Sequence, residues 1–107
     1  MFSGEQEANG NHLVIRLCGE LDISATGSLR ELLVSAVAHS PLVTVDLSGV
    51  EFLDCAAYGV FIAVRNQARS EGGDLTLAGA KGSPRRLLRI VGYSPARRMA
   101  RELERLS

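Results

Sequence analysis

The sequence has no tryptophan, few aromatic residues and only two cysteines, Cys18 and Cys55. Two cysteines so far apart are too few for a disulfide scaffold or a zinc site. The uncharged apolar-rich stretch 55–64 is far shorter than the roughly 20 residues that cross a bilayer, and no other uncharged stretch reaches that length. No basic segment followed by an apolar one opens the chain. We therefore expect a protein of the reducing cytoplasm with no membrane partner.

Sequence signatures of enzyme chemistry are also missing. The segment Gly79–Gly82 has neither the GxGxxG spacing nor the Lys-Ser/Thr pair of a phosphate-binding loop. There are no paired catalytic carboxylates and no metal-ligand cluster. The two histidines, His12 and His39, fall outside the loops where a base for a Cys55 nucleophile would be needed. The sequence predicts a binding module, not an enzyme, without cofactor or metal.

The chain does have the composition of one globular domain, which we place at 1–107. Its net charge is zero, but residues 1–80 hold ten acids and four bases, whereas residues 81–107 hold eight bases and two acids. A basic tail of this kind binds nucleic acid or an acidic partner, or forms the solvated faces of amphipathic helices. Tyr93 is its only aromatic residue, so we favour solvated helices and expect no nucleic acid partner.

Hydrophobic periodicity predicts an α/β fold. Leu13, Ile15 and Leu17 alternate as in a strand with one covered face, and Asn9-Gly10 indicates a hairpin before it. Strands are predicted at about 2–7, 12–18, 42–47 and 75–78. Helices are predicted up to His39 and at about 56–69, 84–91 and 95–106, with a possible further strand before the last one. This order implies a small mixed, mostly parallel sheet with about four helices largely on one face.

Two acid-bearing turns fall at the carboxyl ends of predicted strands. Asp22 follows the second strand, and Asp54 and Cys55 follow the third strand and precede a helix. Partners of parallel sheets gather at these ends. One interpretation is a shared surface patch of the three residues. The other is that Asp54 only caps the helix and Asp22 only fixes a turn.

Three segments resemble the STAS domain, the fold of bacterial anti-sigma factor antagonists. Leu17–Asp22 is similar to the family's L-x-G-E-L-D turn. The segment Val45–Gly59 is similar to D-L-S-x-V-x-F-x-D-S-S-G-L-G, and Arg86–Tyr93 to R-L-L-x-x-x-G-L. They have the family's order and spacing, and the resemblance extends over nearly the whole chain, from about residue 10 to about residue 100.

The resemblance implies a function and exposes one departure. In the family, an anti-sigma factor that is a serine kinase phosphorylates the serine after the aspartate, and the unphosphorylated form binds the kinase and frees the sigma factor. Here that position is Cys55, followed by Ala56, with Ala57 in place of the family's glycine. Asp22 and Asp54 match the acidic positions around it. The alternative is a STAS module of a lipid-transport ABC complex or a stress-signalling scaffold.

We therefore predict an antagonist that kinase phosphorylation at the usual position does not switch off. Oxidation of Cys55, or phosphorylation of Ser24, Thr26 or Ser48, is an alternative means of control. We expect a monomer whose partner is an anti-sigma factor of the serine-kinase type. Tyr58 is expected either as an exposed apolar anchor or packed under a loop. The expected partner-binding residues are Asp22, Asp54, Cys55, Ala56 and Tyr58.

Overall fold

Strands and helices alternate along the chain after an initial hairpin. The computed structural model describes residues 1–94, so the helix predicted at 95–106 lies outside the described residues. Within them are three α-helices and a short 3-10 turn, Ile23–Ala25. The elements are β1 (Phe2–Asn9), β2 (His12–Leu21), α1 (Thr26–His39), β3 (Leu42–Leu53), α2 (Cys55–Ser70), β4 (Asp74–Ala78) and α3 (Gly82–Ile90).

The four strands form one mixed sheet in the order β1-β2-β3-β4. β1 and β2 pair in antiparallel fashion, and their turn is Gly10-Asn11, where Gly10 supplies the positive φ of +67°. β2, β3 and β4 are parallel neighbours. Both crossovers run in the same direction along the sheet, so right-handed connections place α1 and α2 on one face, where they pack together. The predicted small, mostly parallel α/β architecture is confirmed.

The core lies between that face and the two helices. Leu13, Ile15 and Leu17 are buried there, as their alternation predicts. The helices contribute Leu29 and Leu33 from α1. From β3, β4 and α2 come the buried residues Val43, Val45, Leu47, Leu75, Leu77, Val60, Phe61 and Val64. Burial of this apolar surface is the main favourable free energy of the fold.

β2 and β3 are longer than their apolar patterns predicted. The segment 48–53, predicted as a loop, continues β3 and pairs with β2 as far as Leu21 and Leu53, with two register shifts. Gly49 permits the close approach, since a Cβ there would lie 2.6 Å from the sulfur of Cys18. The extension carries the ends of both strands to the same level, where the two acid-bearing turns begin.

β4 covers only part of β3. It pairs with the range Leu42–Asp46, and the chain then turns at Gly79, which lies against Asp46 and Ser48, into α3. α3 packs against β3. The chain therefore enters α3 from the point on β3 where its pairing with β4 ends. Within residues 1–94, every helix is too short or too polar to span a bilayer.

Candidate functional site

A backbone hydrogen bond joins the two carboxyl-end turns. The amide of Asp54 donates to the carbonyl of Leu21, with a nitrogen–oxygen distance of 3.1 Å. Leu21 and Leu53 are the last partners of the β2–β3 ladder. Asp22 and Asp54 thus each follow directly from one member of the same pair, so the structure brings the two turns together.

Asp54 is the N-cap of α2. Its Oδ1 accepts a hydrogen bond from the amide of Ala57 at 2.9 Å, and its carbonyl accepts one from the amide of Tyr58 at 3.0 Å. An aspartate is favourable here because it satisfies an amide of the first turn and places negative charge at the positive end of the helix. The carboxylate has a structural role and is still half-buried rather than enclosed. Capping and surface contact are therefore compatible.

Asp22 organises the neighbouring turn. Its Oδ1 accepts hydrogen bonds from the hydroxyl of Ser24 at 2.5 Å and from the amide of Ser24 at 3.0 Å. The hydroxyl bond is the largest cause that lowers the pKa of Asp22 below its ordinary value. Asp22 is therefore a carboxylate at neutral pH, held at the edge of the 3-10 turn that leads into α1.

Cys55 is the first residue of α2, and its side chain is exposed. The next two residues differ in burial, since Ala56 is half-buried and Ala57 lies in the core. The surface at this helix end thus presents a thiol without a neighbouring hydroxyl on either alanine. Cys18 is also exposed and free, on the sheet face opposite the core.

Tyr58 packs under the loop that follows α3, which is the second of the two positions predicted for it. It is half-buried and meets Tyr93 edge to face, with ring centroids 6.5 Å apart. Burial is the main cause that raises the pKa of the Tyr58 phenol, and Tyr93 adds to it. Tyr58 is therefore not an exposed anchor, because its ring packs against Tyr93 beyond the end of α3. Its part in partner binding stays a prediction.

Two exposed apolar side chains, absent from the predicted site, flank the aspartates. Ile23 is 72% exposed beside Asp22, and Phe52 is 45% exposed two residues before Asp54. Strand alternation through Leu53 would have placed Phe52 on the opposite side from that core residue, had the strand been predicted to extend so far. Ile23 lies in a turn without periodicity, which gives no such signal. We call Asp22, Ile23, Phe52, Asp54 and Cys55 the carboxyl-end patch.

The family described as "Mlab, STAS domain" matches residues 5–95. The chain belongs to the STAS domain family. This STAS domain is 29% identical to an anti-sigma-B factor antagonist of Bacillus subtilis (strain 168), over 78% of this chain and 77% of that protein. It is also 29% identical to an anti-sigma-B factor antagonist of Listeria monocytogenes serovar 1/2a, over 83% of this chain and 79% of that protein. These names describe regulatory proteins rather than enzymes.

Solved structures support the same fold. An anti-sigma factor antagonist from Mycobacterium paratuberculosis superposes with a TM-score of 0.77 at 24% identity, over 86% of this STAS domain and 79% of that chain. The anti-sigma factor antagonist SpoIIAA in its unphosphorylated form gives a TM-score of 0.69 at 19% identity, over 96% and 98% of the two chains. The predicted family is therefore confirmed by sequence and by fold.

The surroundings of the patch in this STAS domain are acidic. Glu20 pairs with Phe52 across the ladder and is exposed, as is Glu51. Neither forms an ion pair with another residue of the described segment 1–94. Across that same segment, no three His, Cys, Asp or Glu side chains are grouped so as to hold a metal ion. The patch thus combines two exposed apolar side chains with carboxylates beside them, as the apolar centre and polar rim of a protein interface do.

Proposed function

We propose that this STAS domain is an anti-sigma factor antagonist. It binds an anti-sigma factor of the serine-kinase type, releases the sigma factor held by that protein, and so regulates transcription. The observation that carries the proposal is the similarity to anti-sigma-B factor antagonists over more than three quarters of both chains. The placement of Asp22, Asp54 and Cys55 in one surface supports it.

The carboxyl-end patch is the proposed interface. Asp22 and Asp54 supply negative charge that steers a basic partner surface. Ile23 and Phe52 supply the apolar contact that is removed from water on binding. Cys55 and Ala56 are the first two residues of α2, directly after Asp54. Tyr58 contributes indirectly, by packing beneath this surface against Tyr93.

The thiol of Cys55 makes the binding state independent of phosphorylation at the family's usual position. A phosphate there would add about 1.5 to 2 negative charges beside two carboxylates. The repulsion between the phosphate and the carboxylates would weaken binding of the partner to this surface. Without a hydroxyl at residues 55 to 57, that repulsion does not arise at this position. Control then lies in expression level, in oxidation of the exposed thiol, or in another hydroxyl.

The test is direct binding to purified anti-sigma factors. Each candidate is titrated against the unchanged protein and the Ile23→Ala and Phe52→Ala variants by calorimetry. We expect one anti-sigma factor to bind, and each variant to lose about tenfold or more in affinity, as truncated interface anchors do. Gln67→Ala, which changes an exposed residue at the other end of α2, is the control and should bind normally.

Three outcomes contradict the proposal. If no anti-sigma factor binds, the antagonist function is wrong. If the protein instead forms a stable complex with the ATPase of an ABC transporter, the STAS domain serves a transport complex through the same surface. A sigma factor that stays bound to its anti-sigma factor when this protein is added would also contradict release.

A further inference from the structure

The charged residues of α3 are all basic. Lys81, at the start of the helix, and Arg85, Arg86 and Arg89 within it are all exposed. We call these four residues the α3 basic face. α3 itself contains no acidic residue. Arg86 and Arg89 lie three apart and Arg85 and Arg89 four apart, so neighbouring guanidinium groups share one surface, with Cβ atoms about 5–6 Å apart.

Within residues 1–94, these four bases lack the ion-pair partners that Arg16, Arg65 and Arg69 have, as does Arg30 of α1. Arg65 and Arg69 of α2 both contact Asp74, at 3.1 and 3.2 Å, and Arg16 contacts Glu7 at 3.0 Å. Within residues 1–94, no base of the α3 basic face contacts a carboxylate. A row of like charges on one helix is unfavourable by itself. An acidic surface opposite it would remove that cost.

The opposite side of α3 is already used by the fold. Pro84 is buried, and Leu87 and Leu88 are half-buried against the core. This contact fixes the rotation of the helix, so that the arginines face outward. The same contact buries the Leu87 and Leu88 side of α3, so this side cannot enter a bilayer as the apolar face of an interfacial helix does.

α3 begins beside the part of β3 that leads to the carboxyl-end patch. α3 packs against β3, and the chain enters α3 from Gly79, which lies against Asp46 and Ser48, where the pairing of β3 with β4 ends. Tyr93, just beyond α3, contacts Tyr58, which lies one helical turn after Cys55. A partner that covers Phe52 and Cys55 therefore has α3 beside it.

We propose that the α3 basic face is a second half of the partner-binding surface, and that the anti-sigma factor bound at the carboxyl-end patch covers it with an acidic surface. This inference rests on the proposed function. The complete interface is then bipolar, with an acidic half around Asp22 and Asp54 and a basic half on α3. Such a pattern fixes the orientation of a partner and excludes proteins with the wrong charge arrangement.

The apolar residues at the end of α3 favour a protein as the occupant. Ile90 is 75% exposed and Val91 is 39% exposed, and arginine beside apolar side chains is typical of protein interfaces. A nucleic acid strand would use aromatic rings for stacking. The one aromatic ring close to α3 in sequence, Tyr93, is already occupied by Tyr58, Arg65 and β4.

Charge reversal tests the inference. Association and dissociation rates with the anti-sigma factor are measured by surface plasmon resonance at low and high salt for Arg86→Glu, Arg89→Glu and Arg30→Glu. Arg30 is an exposed arginine on α1, so all three variants change the net charge equally. We expect the two α3 variants to lower affinity about tenfold, mainly through slower association that depends less on salt. Arg30→Glu should bind like the unchanged protein.

The outcomes separate this inference from the function on which it rests. If the unchanged protein binds no anti-sigma factor, the proposed function fails and the inference fails with it. If it binds and the α3 variants bind equally well, only the inference is overturned. Circular dichroism melting confirms that each variant is folded.

A second measurement addresses other anionic partners. The unchanged protein is titrated with a 20-base-pair DNA duplex and with vesicles that contain phosphatidylglycerol. We expect neither the DNA nor the vesicles to bind through the α3 basic face. Any binding to them should therefore be unchanged by Arg86→Glu. Salt-dependent binding to DNA or vesicles that Arg86→Glu removes, with unchanged affinity for the anti-sigma factor, would overturn the inference and assign α3 to a phosphate-bearing partner.

Discussion

Tyr58 and Tyr93 meet edge to face, with their ring planes at 89° and their centroids 6.5 Å apart. The hydroxyl of Tyr93 also accepts a hydrogen bond from the amide of Leu77, at 2.7 Å, and the guanidinium of Arg65 lies 5.3 Å from the centre of its ring. Because β4 is an edge strand, this contact gives one of its outward amides an acceptor. Tyr93 thereby joins the end of α3 to α2 and to the sheet.

We expect Tyr93→Phe to destabilise the fold by about 1–3 kcal/mol, because the buried amide of Leu77 loses its acceptor while the ring contacts remain. Urea unfolding measures the change. Tyr58→Phe is the matched control, since the Tyr58 hydroxyl forms no hydrogen bond with any residue of the described segment 1–94 and its removal should change stability by less than about 0.5 kcal/mol. Equal losses in both variants would show that the Leu77 contact contributes nothing specific.

Substitution at Asp54 separates helix capping from surface charge. Asparagine caps helices nearly as well as aspartate, whereas alanine cannot accept the hydrogen bond from the Ala57 amide. We expect Asp54→Ala to lower stability by about 1 kcal/mol and Asp54→Asn to lower it much less. Both should weaken anti-sigma factor binding, which titration calorimetry would measure.

Asp54→Asn is the informative variant of the two. If it is stable and binds with normal affinity, the charge of Asp54 has no part in recognition and its role is confined to the cap. If only Asp54→Ala impairs binding, the position of α2 matters and the carboxylate does not.

The sequence predicted the elements whose side chains repeat with a period. Alternation of Leu13, Ile15 and Leu17 located β2 and its core face, because that face is covered by helices. The extension of β3 through Ser48 and Gly49 was missed, since those residues have low strand propensity and are held in the strand by pairing with β2. A contact between neighbouring strands is not encoded in the local pattern of either one.

The candidate site was predicted in part for the same reason. Asp22, Asp54 and Cys55 follow strand ends, so sheet topology alone predicted that their turns are neighbours. The packing of Tyr58 depends on Tyr93, which lies beyond α3 and far along the chain, and local periodicity carries no information about such a contact. The exposure of Ile23 could likewise not be predicted from the sequence, because this residue lies in a short turn without periodicity.

Loss of the buried ion pair between Arg65 of α2 and Asp74 of β4 is predicted to destabilise the fold strongly. Arg65 is only 6% exposed, and Asp74 Oδ1 accepts hydrogen bonds from its Nε and from the amide of Leu75. We expect Asp74→Ala to destabilise the fold by about 3–5 kcal/mol, because it leaves the Arg65 charge buried without its carboxylate. Denaturant unfolding would measure this.

Arg69→Ala is the control for the same carboxylate. Arg69 contacts Asp74 Oδ1 at 3.2 Å, but about half of its side chain is exposed to solvent. Its removal should cost no more than about 1 kcal/mol. Similar losses for Asp74→Ala and Arg69→Ala would mean that burial of the Arg65–Asp74 pair does not determine the cost.

The hydrogen bond from Ser24 to Asp22 predicts that the pKa of Asp22 depends on the Ser24 hydroxyl. The pKa of Asp22 is lowered mainly by the Ser24 hydroxyl, so the ionised carboxylate stabilises the fold above the unfolded pKa of about 3.9. That stabilisation disappears as the pH falls through the lower, folded pKa. Ser24→Ala should raise the pKa of Asp22 towards its ordinary value, as measured by NMR of the carboxyl carbon. Ser28→Ala, an exposed serine of α1, should leave it unchanged, and equal titration in both variants would exclude the hydroxyl as the cause.

Cys55→Ser restores a hydroxyl at the start of α2 and tests the proposed loss of the phosphorylation switch. With the bound anti-sigma kinase and ATP, mass spectrometry should find no phosphate within residues 54–58 of the unchanged protein and about one phosphate on the introduced hydroxyl of the variant. The added charge of about −1.5 to −2 beside Asp22 and Asp54 should then weaken binding to the kinase. Cys18→Ser, at the other exposed cysteine, is the control and should gain no phosphate. Stoichiometric phosphate within residues 54–58 of the unchanged protein would show that this surface remains a kinase substrate without a hydroxyl at position 55.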